Sequence, residues 1–193
     1  MTEKQKHIVT TALHLFYRKG VHAVGINEIL AEAGVAKRTL YNYFETKEEL
    51  IAATLAYRDA TFIEWLKGRL DTVSKGKEAL LELFVALDDW FNNRCEPLAR
   101  FRGCFFINVA AEYGDPESPI FQAAKEHKRR VRALVQAHVA ELGRSAEESR
   151  QLVDTITLLK EGAIVTAMVQ EDSAAARKLL PVVECLLQVS ACR

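Results

Sequence analysis

Apolar residues recur at intervals of three and four along most of the chain, and no run alternates convincingly with a strand period. Ile8, Ala12, Leu15 and Phe16 stand at i, i+4, i+7 and i+8. A backbone turning every 3.6 residues lays such positions along one side. Ile26, Ile29, Leu30 and Ala33 repeat the pattern. So do Leu80, Leu83, Phe84, Leu87, Trp90 and Phe91, and then Val131, Leu134, Val135, His138, Val139 and Leu142. The expected fold class is all-α, with about nine helices.

Local signals divide that pattern. Thr2 with Gln5 has the spacing of a helix start, and Gly20 and Gly34 the character of helix ends. Thr46 followed by Glu49 starts a fourth helix, which Ile51, Leu55, Phe62 and Leu66 carry to about residue 70. Arg58 interrupts its apolar face and is read as a long side chain reaching past the core to water. The fifth helix is expected to end near Pro97 and the sixth to run from about Arg100 to Glu112. YGDPESP breaks the chain at 113–119. Ser118-Pro119 then opens a seventh helix that continues to Gly143. Ser145 and Glu148 cap an eighth, apolar nearly all round from Leu152 to Val169. The ninth, AARKLLPVVECLLQV, contains Pro181, expected to kink it or to mark an irregular start. A terminal helix that is apolar on two faces needs two partners. The second is most simply another copy of the chain, so homodimerisation through these two helices is expected.

Lys and Arg total 26, as do Asp and Glu, so the net charge is zero and any nucleic-acid partner must be met by a local patch. The stretch AGVAKRTLYNYFETKEEL supplies one. A short helix ends at Gly34, Val35 serves as the wedge of a tight turn, and a second short helix follows at once, the pattern of a helix-turn-helix. Leu40 and Phe44 lie one turn apart and face inward. Lys37 and Tyr41, with Arg38 and Asn42 beside them, face out. Arg38 suits guanine and Asn42 adenine, while Tyr41 and Tyr43 suit phosphate, sugar or thymine methyl groups.

Other classes find little support. No apolar run approaches a membrane span, and MTEKQKHIVTTALHLF lacks a signal-peptide core, so a soluble cytoplasmic protein is expected. Cys95, Cys104, Cys185 and Cys192 show no metal or redox spacing and are expected reduced. No metal pattern, nucleophile elbow or phosphate loop appears, so no enzyme, catalytic residue, metal or cofactor is expected.

The first quarter of the chain resembles the DNA-binding domain of TetR-type transcriptional regulators. The likeness rests on Ala12, Leu15, Phe16 and Gly20, then Ala33 to Val35, then Leu40 to Phe44, then Lys47 to Leu50. It implies a three-helix helix-turn-helix domain over residues 1–46, joined by a long helix to a helical ligand-binding and dimerisation domain over 47–193. By the same resemblance Lys37, Arg38, Thr39, Tyr41, Asn42, Tyr43 and Lys47 fall where the family contacts DNA. Two departures stand out. Gly25 takes a place where a serine or threonine is frequent, and Arg38 replaces a residue that is often small. The implied mechanism is a dimer on a palindromic operator, released when a small-molecule effector in the C-terminal core moves the fourth helix as a lever.

For that effector the aromatic inventory of the middle helices offers Phe62, Trp65, Phe84, Trp90, Phe91, Phe105, Phe106 and Phe121, with Asn108, Glu112 or His138 as polar anchors and Arg58 as another, the alternative to its reach to water. Side chains at this spacing also read as plain core. Cys104, just after Arg100, Arg102 and Gly103, offers a second chemistry. A thiol near a helix start and cations favours thiolate, and the segment looks similar to those of TetR-type repressors that sense electrophiles. The alternative for Cys104 is a small packed core residue. The basic run AKEHKRRVR (124–132) reads as the solvated face of an amphipathic helix. The competing reading for the whole chain is a dimeric helical scaffold or small-molecule binder that does not read DNA.

Overall fold

The computed structural model describes residues 1–188, so Cys192 and Val189, the last residue expected of the ninth helix, lie outside the described residues. Among those described, nine α-helices follow one another with a single 3-10 turn and no strand. They are α1 (Glu3–Lys19), α2 (Ile26–Ala33), α3 (Lys37–Tyr41), α4 (Lys47–Leu70), α5 (Lys77–Phe91), the 3-10 turn Glu96–Leu98, α6 (Phe105–Tyr113), α7 (Pro119–Ala140), α8 (Ala146–Val169) and α9 (Ala175–Gln188). The all-α expectation holds, and the helix count with it.

The caps show why most boundaries were readable. The Thr2 hydroxyl accepts from Gln5 N at 3.2 Å and Thr46 Oγ1 from Glu49 N at 3.1 Å, each satisfying one orphan donor of a first turn. Ser145 and Glu148 form a reciprocal capping box at the start of α8. Gly34 ends α2 in the left-handed conformation, φ 63°.

Two expectations fail between α5 and α6. The fifth helix stops at Phe91, because Asn93 takes φ 60° and breaks the hydrogen-bond ladder well before Pro97. The sixth begins at Phe105 rather than near Arg100. Ala99 (φ 58°) and Gly103 (φ 82°) both lie in the left-handed region, so residues 99–103 cannot start a right-handed helix. Asn93 holds this loop by accepting from Phe101 N at 2.7 Å. Gly103 is the residue that fits there: a Cβ on it would stand 2.0 Å from the Met168 sulfur. The seventh helix likewise ends at Ala140, before Gly143. Pro181 sits inside α9, which starts at Ala175.

The chain divides into two compact units. The first holds Met1–Ala60 with Cys104–His127, and the second Thr61–Gly103 with the chain from Lys128 onward. In the first, α1 packs on α2 and α2 on α3, over a core of Ile8, Leu15, Phe16, Val21, Ile29, Leu40, Leu50 and Ile51, all buried. In the second, α5 packs on α8 and α9, and α8 on α9. Leu80, Leu83, Phe84 and Trp90 of α5, Ile156 and Ile164 of α8 and Val183 of α9 are all buried there. The buried carboxylate of Asp88 on α5 accepts from Arg94 at 2.6 Å and from Arg177 of α9 at 2.8 Å, tying the start of α9 to the end of α5. Among the described residues no helix is long and apolar enough to cross a membrane.

Candidate nucleic-acid interface and the buried side chains behind it

The turn between α2 and α3 is built from short-range necessities. Val35 N donates to Leu30 O at 3.2 Å, closing the end of α2. Leu40 and Phe44 are buried, so α3 has one anchored side. Its opposite side is open. Lys37, Arg38, Tyr41 and Asn42 are exposed, while Thr39 and Tyr43 are half-buried. The Lys37 ammonium lies over the Tyr41 ring, 5.8 Å from its centre, and the Thr2 hydroxyl donates to the Tyr43 hydroxyl at 3.5 Å. Gly25, the N-cap of α2, makes no side-chain cap, as a residue without a hydroxyl must. Six of the seven residues proposed for DNA therefore cluster on or just beyond α3. The seventh, Lys47, is otherwise engaged: its ammonium donates to Val21 O at 2.6 Å and lies 5.9 Å from the centre of the Phe16 ring.

Behind this surface the first unit buries charge that the sequence reading assigned to water. Arg58 is only 4% exposed. Burial lowers the pKa of its guanidinium, while Tyr17 and Cys104 act in the opposite sense. The guanidinium lies 5.3 Å from the Tyr17 ring centre. The expectation that it reaches past the core is overturned, because Leu55 and Phe62, one turn to either side, are themselves buried. His127, buried on α7, stacks on Phe106 at 3.6 Å between ring centres, and its Nδ1 pairs with Asp59 Oδ1 at 2.7 Å. Neither Asp59 nor this pairing was foreseen, although His127 keeps apolar register with Ala124 and Val131. Glu112, expected as an effector anchor, uses both carboxylate oxygens on the α1–α2 turn, accepting from Val21 N at 3.0 Å and His22 N at 2.8 Å.

The residues proposed to hold an effector fall into both units. Phe62, Trp65, Phe84 and Trp90 belong to the second, where Phe62 meets Trp65 and Trp90 edge-on, each at 5.3 Å. Phe101, which was not singled out, closes on Trp90 at 4.9 Å and on Phe91 at 4.7 Å. Cys104, Phe105, Asn108 and Phe121 belong to the first. Cys104 is buried at the N-cap of α6, Phe105 meets Tyr17 edge-on at 6.0 Å, and Asn108 and Phe121 are half-buried. Edge-to-face rings at these spacings are what a packed aromatic core uses. The basic run pairs partly with α8: Lys128 meets Glu161 and Arg132 meets Asp154, both at 2.7 Å. Glu161, held also by Lys160, has its carboxyl pKa lowered despite the opposing effect of burial. His138, offered above as a polar anchor, is buried, and its Nδ1 meets no hydrogen-bonding group of the protein among the described residues.

One face of α8 is apolar and open. Leu158 is 71% exposed, Val165 44% and Val169 66%, spaced as one helical stripe. Val182 on α9 is 47% exposed. A groove of about 450 Å³ runs between the two helices, lined by Leu158, Leu159, Gly162 and Thr166 on one side and Ala175 and Leu179 on the other.

Comparison with known proteins agrees with this architecture over nearly the whole chain. Residues 8–54 match the family model of bacterial regulatory proteins of the tetR family. Residues 81–179 match that of the C-terminal domain of LmrA/YxaF-like transcriptional regulators. The chain is 26% identical over 171 residues to the HTH-type transcriptional regulator YxaF of Bacillus subtilis, spanning 88% of this chain and 87% of that protein. A solved TetR-family transcriptional regulator from Streptomyces coelicolor superposes with a TM-score of 0.82 at 29% identity, over 97% of this chain and 89% of that one. The reduced form of NemR from E. coli superposes at 0.84 with 21% identity, over 99% of this chain and 100% of that one, a likeness of fold alone.

Proposed function

The chain belongs to the TetR family of transcriptional regulators, DNA-binding proteins and not enzymes, and from that membership we propose that it is a cytoplasmic repressor. It binds a palindromic operator as a homodimer and leaves it when an effector binds. The observation that carries this reading is the two-sided α3. Leu40 and Phe44 fix it from within, and Lys37, Arg38, Tyr41 and Asn42 are exposed on the outer face. In this reading residues 1–46 read DNA and residues 47–193 dimerise and respond, with Thr39, Tyr43 and Lys47 completing the DNA contacts. Lys47 would exchange its bond to Val21 for a phosphate or serve both.

Dimerisation is supported by the open stripe of Leu158, Val165 and Val169, which a two-fold axis would bury against its own copy. A two-fold dimer presents its recognition helices to half-sites about one helical turn, roughly 34–36 Å, apart, or a multiple of it. That is why the operator is palindromic in this account. Release requires an effector that binds the released state better than the DNA-bound one.

Two effector chemistries are supported by separate observations. The rings of Phe62, Trp65, Phe84 and Trp90 suit a flat apolar molecule, which would have to displace ring-on-ring contacts to enter. Cys104 is supported as a target of electrophiles by its place at the N-cap of α6. The test is footprinting on the chain's own promoter region, followed by electrophoretic binding with and without a mild electrophile, for wild type and Cys104→Ser. Protection of an inverted repeat supports the repressor reading. Release of wild type alone, reversed by thiol, assigns the electrophile chemistry, and equal behaviour assigns the apolar one. A promoter left unprotected, with no fragment shifted, favours the scaffold that does not read DNA.

A further inference from the structure

Glu112 is joined to the DNA-binding helices by an arrangement that ordinary packing does not require. It lies one residue from the C-terminal end of α6, some 90 positions along the chain from the α1–α2 turn, and both its carboxylate oxygens are spent there. The turn is held from the other side as well. Val21 gives its N–H to Glu112 and its carbonyl to the Lys47 ammonium at 2.6 Å, so one peptide segment is gripped by α6 and by the first residue of α4 at once. The Val21 side chain is fully buried. Gly20 makes the approach feasible: its φ is 91°, and a Cβ there would already stand 3.0 Å from Glu112 Oε1. The next residue along α6, Tyr113, sets its ring 5.0 Å from that of His22. Burial raises the Tyr113 pKa, and the negative charges of Glu48 and Glu112 add to the rise.

We propose that Glu112 is a positioning residue through which α6 sets the α1–α2 turn, and so the seating of α2 and α3 on operator DNA, by a route that does not pass through the body of α4. This rests on the DNA-reading function proposed above and adds a residue to it. Carboxylate-to-amide bonds are charge-assisted and directional, so a rotation or slide of α6 by a fraction of a turn moves the turn or breaks the grip. The opposite end of α6 is capped by Cys104 and carries Phe105 and Phe106 into contact with Tyr17 and His127. A nine-residue helix is about 13 Å long. A disturbance at its first residue therefore meets the turn at its last.

The sign of the effect separates positioning from simple electrostatics. Glu112→Gln removes a negative charge near the DNA-facing helices, and charge alone would tighten binding to every duplex. Positioning predicts the reverse for the operator and no loss for random DNA. The experiment measures fluorescence anisotropy of the footprinted promoter duplex and of a random duplex of equal length, with wild type, Glu112→Gln and Glu112→Asp, together with amide hydrogen exchange at Val21 and His22 without DNA. Glu112→Asp keeps the charge but shortens the reach by one methylene, so it answers the question even if the glutamine variant folds poorly. The expected result is exchange at both amides faster by about tenfold or more, operator Kd weaker by about tenfold, and random-duplex Kd unchanged or tighter. Faster exchange with unchanged operator Kd, or equal loss on both duplexes, overturns the proposal. Wild type failing to prefer the promoter duplex would instead sink the DNA-reading function beneath it.

Discussion

Replacing Leu158 by aspartate should split the proposed homodimer while leaving the protomer folded. Leu158 is 71% exposed in the isolated chain, so little of its side chain contributes to the fold of one copy. Burying a whole leucine stabilises by about 1.5–3 kcal/mol, and the open fraction therefore accounts for about 1–2 kcal/mol in each protomer. The two-fold axis counts the residue twice, giving about 2–4 kcal/mol. An aspartate would also bring two carboxylates into the same apolar contact, with a desolvation cost of several kcal/mol per buried ion. Taking only part of that cost, the loss is at least about 4 kcal/mol, close to three decades in the dimer dissociation constant. Sedimentation velocity over nanomolar to tens of micromolar protein measures it directly. The expected variant is a monomer at concentrations where wild type is a dimer, with its helical circular dichroism retained because exposed surface changes cost within about 0.5 kcal/mol. An unchanged dissociation constant would refute the assignment of this stripe to the dimer contact.

Asp88→Asn should lower stability by about 1–3 kcal/mol, the scale of hydrogen bonds to charged groups. The loss stays below that of a fully buried pair because Arg94 and Arg177, at 47% and 67% side-chain exposure, can turn to water; a thermal midpoint drop of several degrees checks it. Gly103→Ala forces φ 82° on a residue with a Cβ and drives that atom into Met168, so a loss of about 1–2 kcal/mol or more is expected in the same assay. His138 gives a pH signature. Burial lowers its pKa below the ordinary histidine value, so the unfolded chain takes up the proton first. The stability this confers is complete above about pH 6.5, the unfolded value, and declines as the pH falls below it. Denaturant midpoints from pH 7.5 to 5.5 should show a slope that His138→Phe removes.

The helices were legible because their apolar periods are long and their caps are local. Thr2, Gly34, Thr46 and Ser145 each act on atoms within a turn or so, and such signals can be read without knowing the fold. The α5–α6 junction was not legible, since the left-handed conformations of Asn93 and Ala99 belong to residues with no special claim to them and are imposed by the packing around the loop. The exposed face of α3 followed from spacing alone, because one side of a short helix had to be anchored by Leu40 and Phe44. What escaped were the partners of charged residues. Arg58 sat visibly on an apolar register, yet nothing in its neighbours along the chain tells that Tyr17 and Cys104 would close around it. Glu112 and the α1–α2 turn meet across about 90 residues of sequence, a separation no local pattern spans.

The measurement that bears most directly on the account is the affinity of the chain for its own promoter duplex across a salt series, for wild type and for the Lys37→Ala, Arg38→Ala double variant. Four cations leave the proposed dimer in that variant. At about one charge-assisted contact each, operator affinity should fall at least about a hundredfold, and if all four touch phosphate the slope of log affinity against log salt should flatten by about 3–4. Equal affinity of the two proteins, with equal slopes, would contradict the claim that the exposed face of α3 reads DNA.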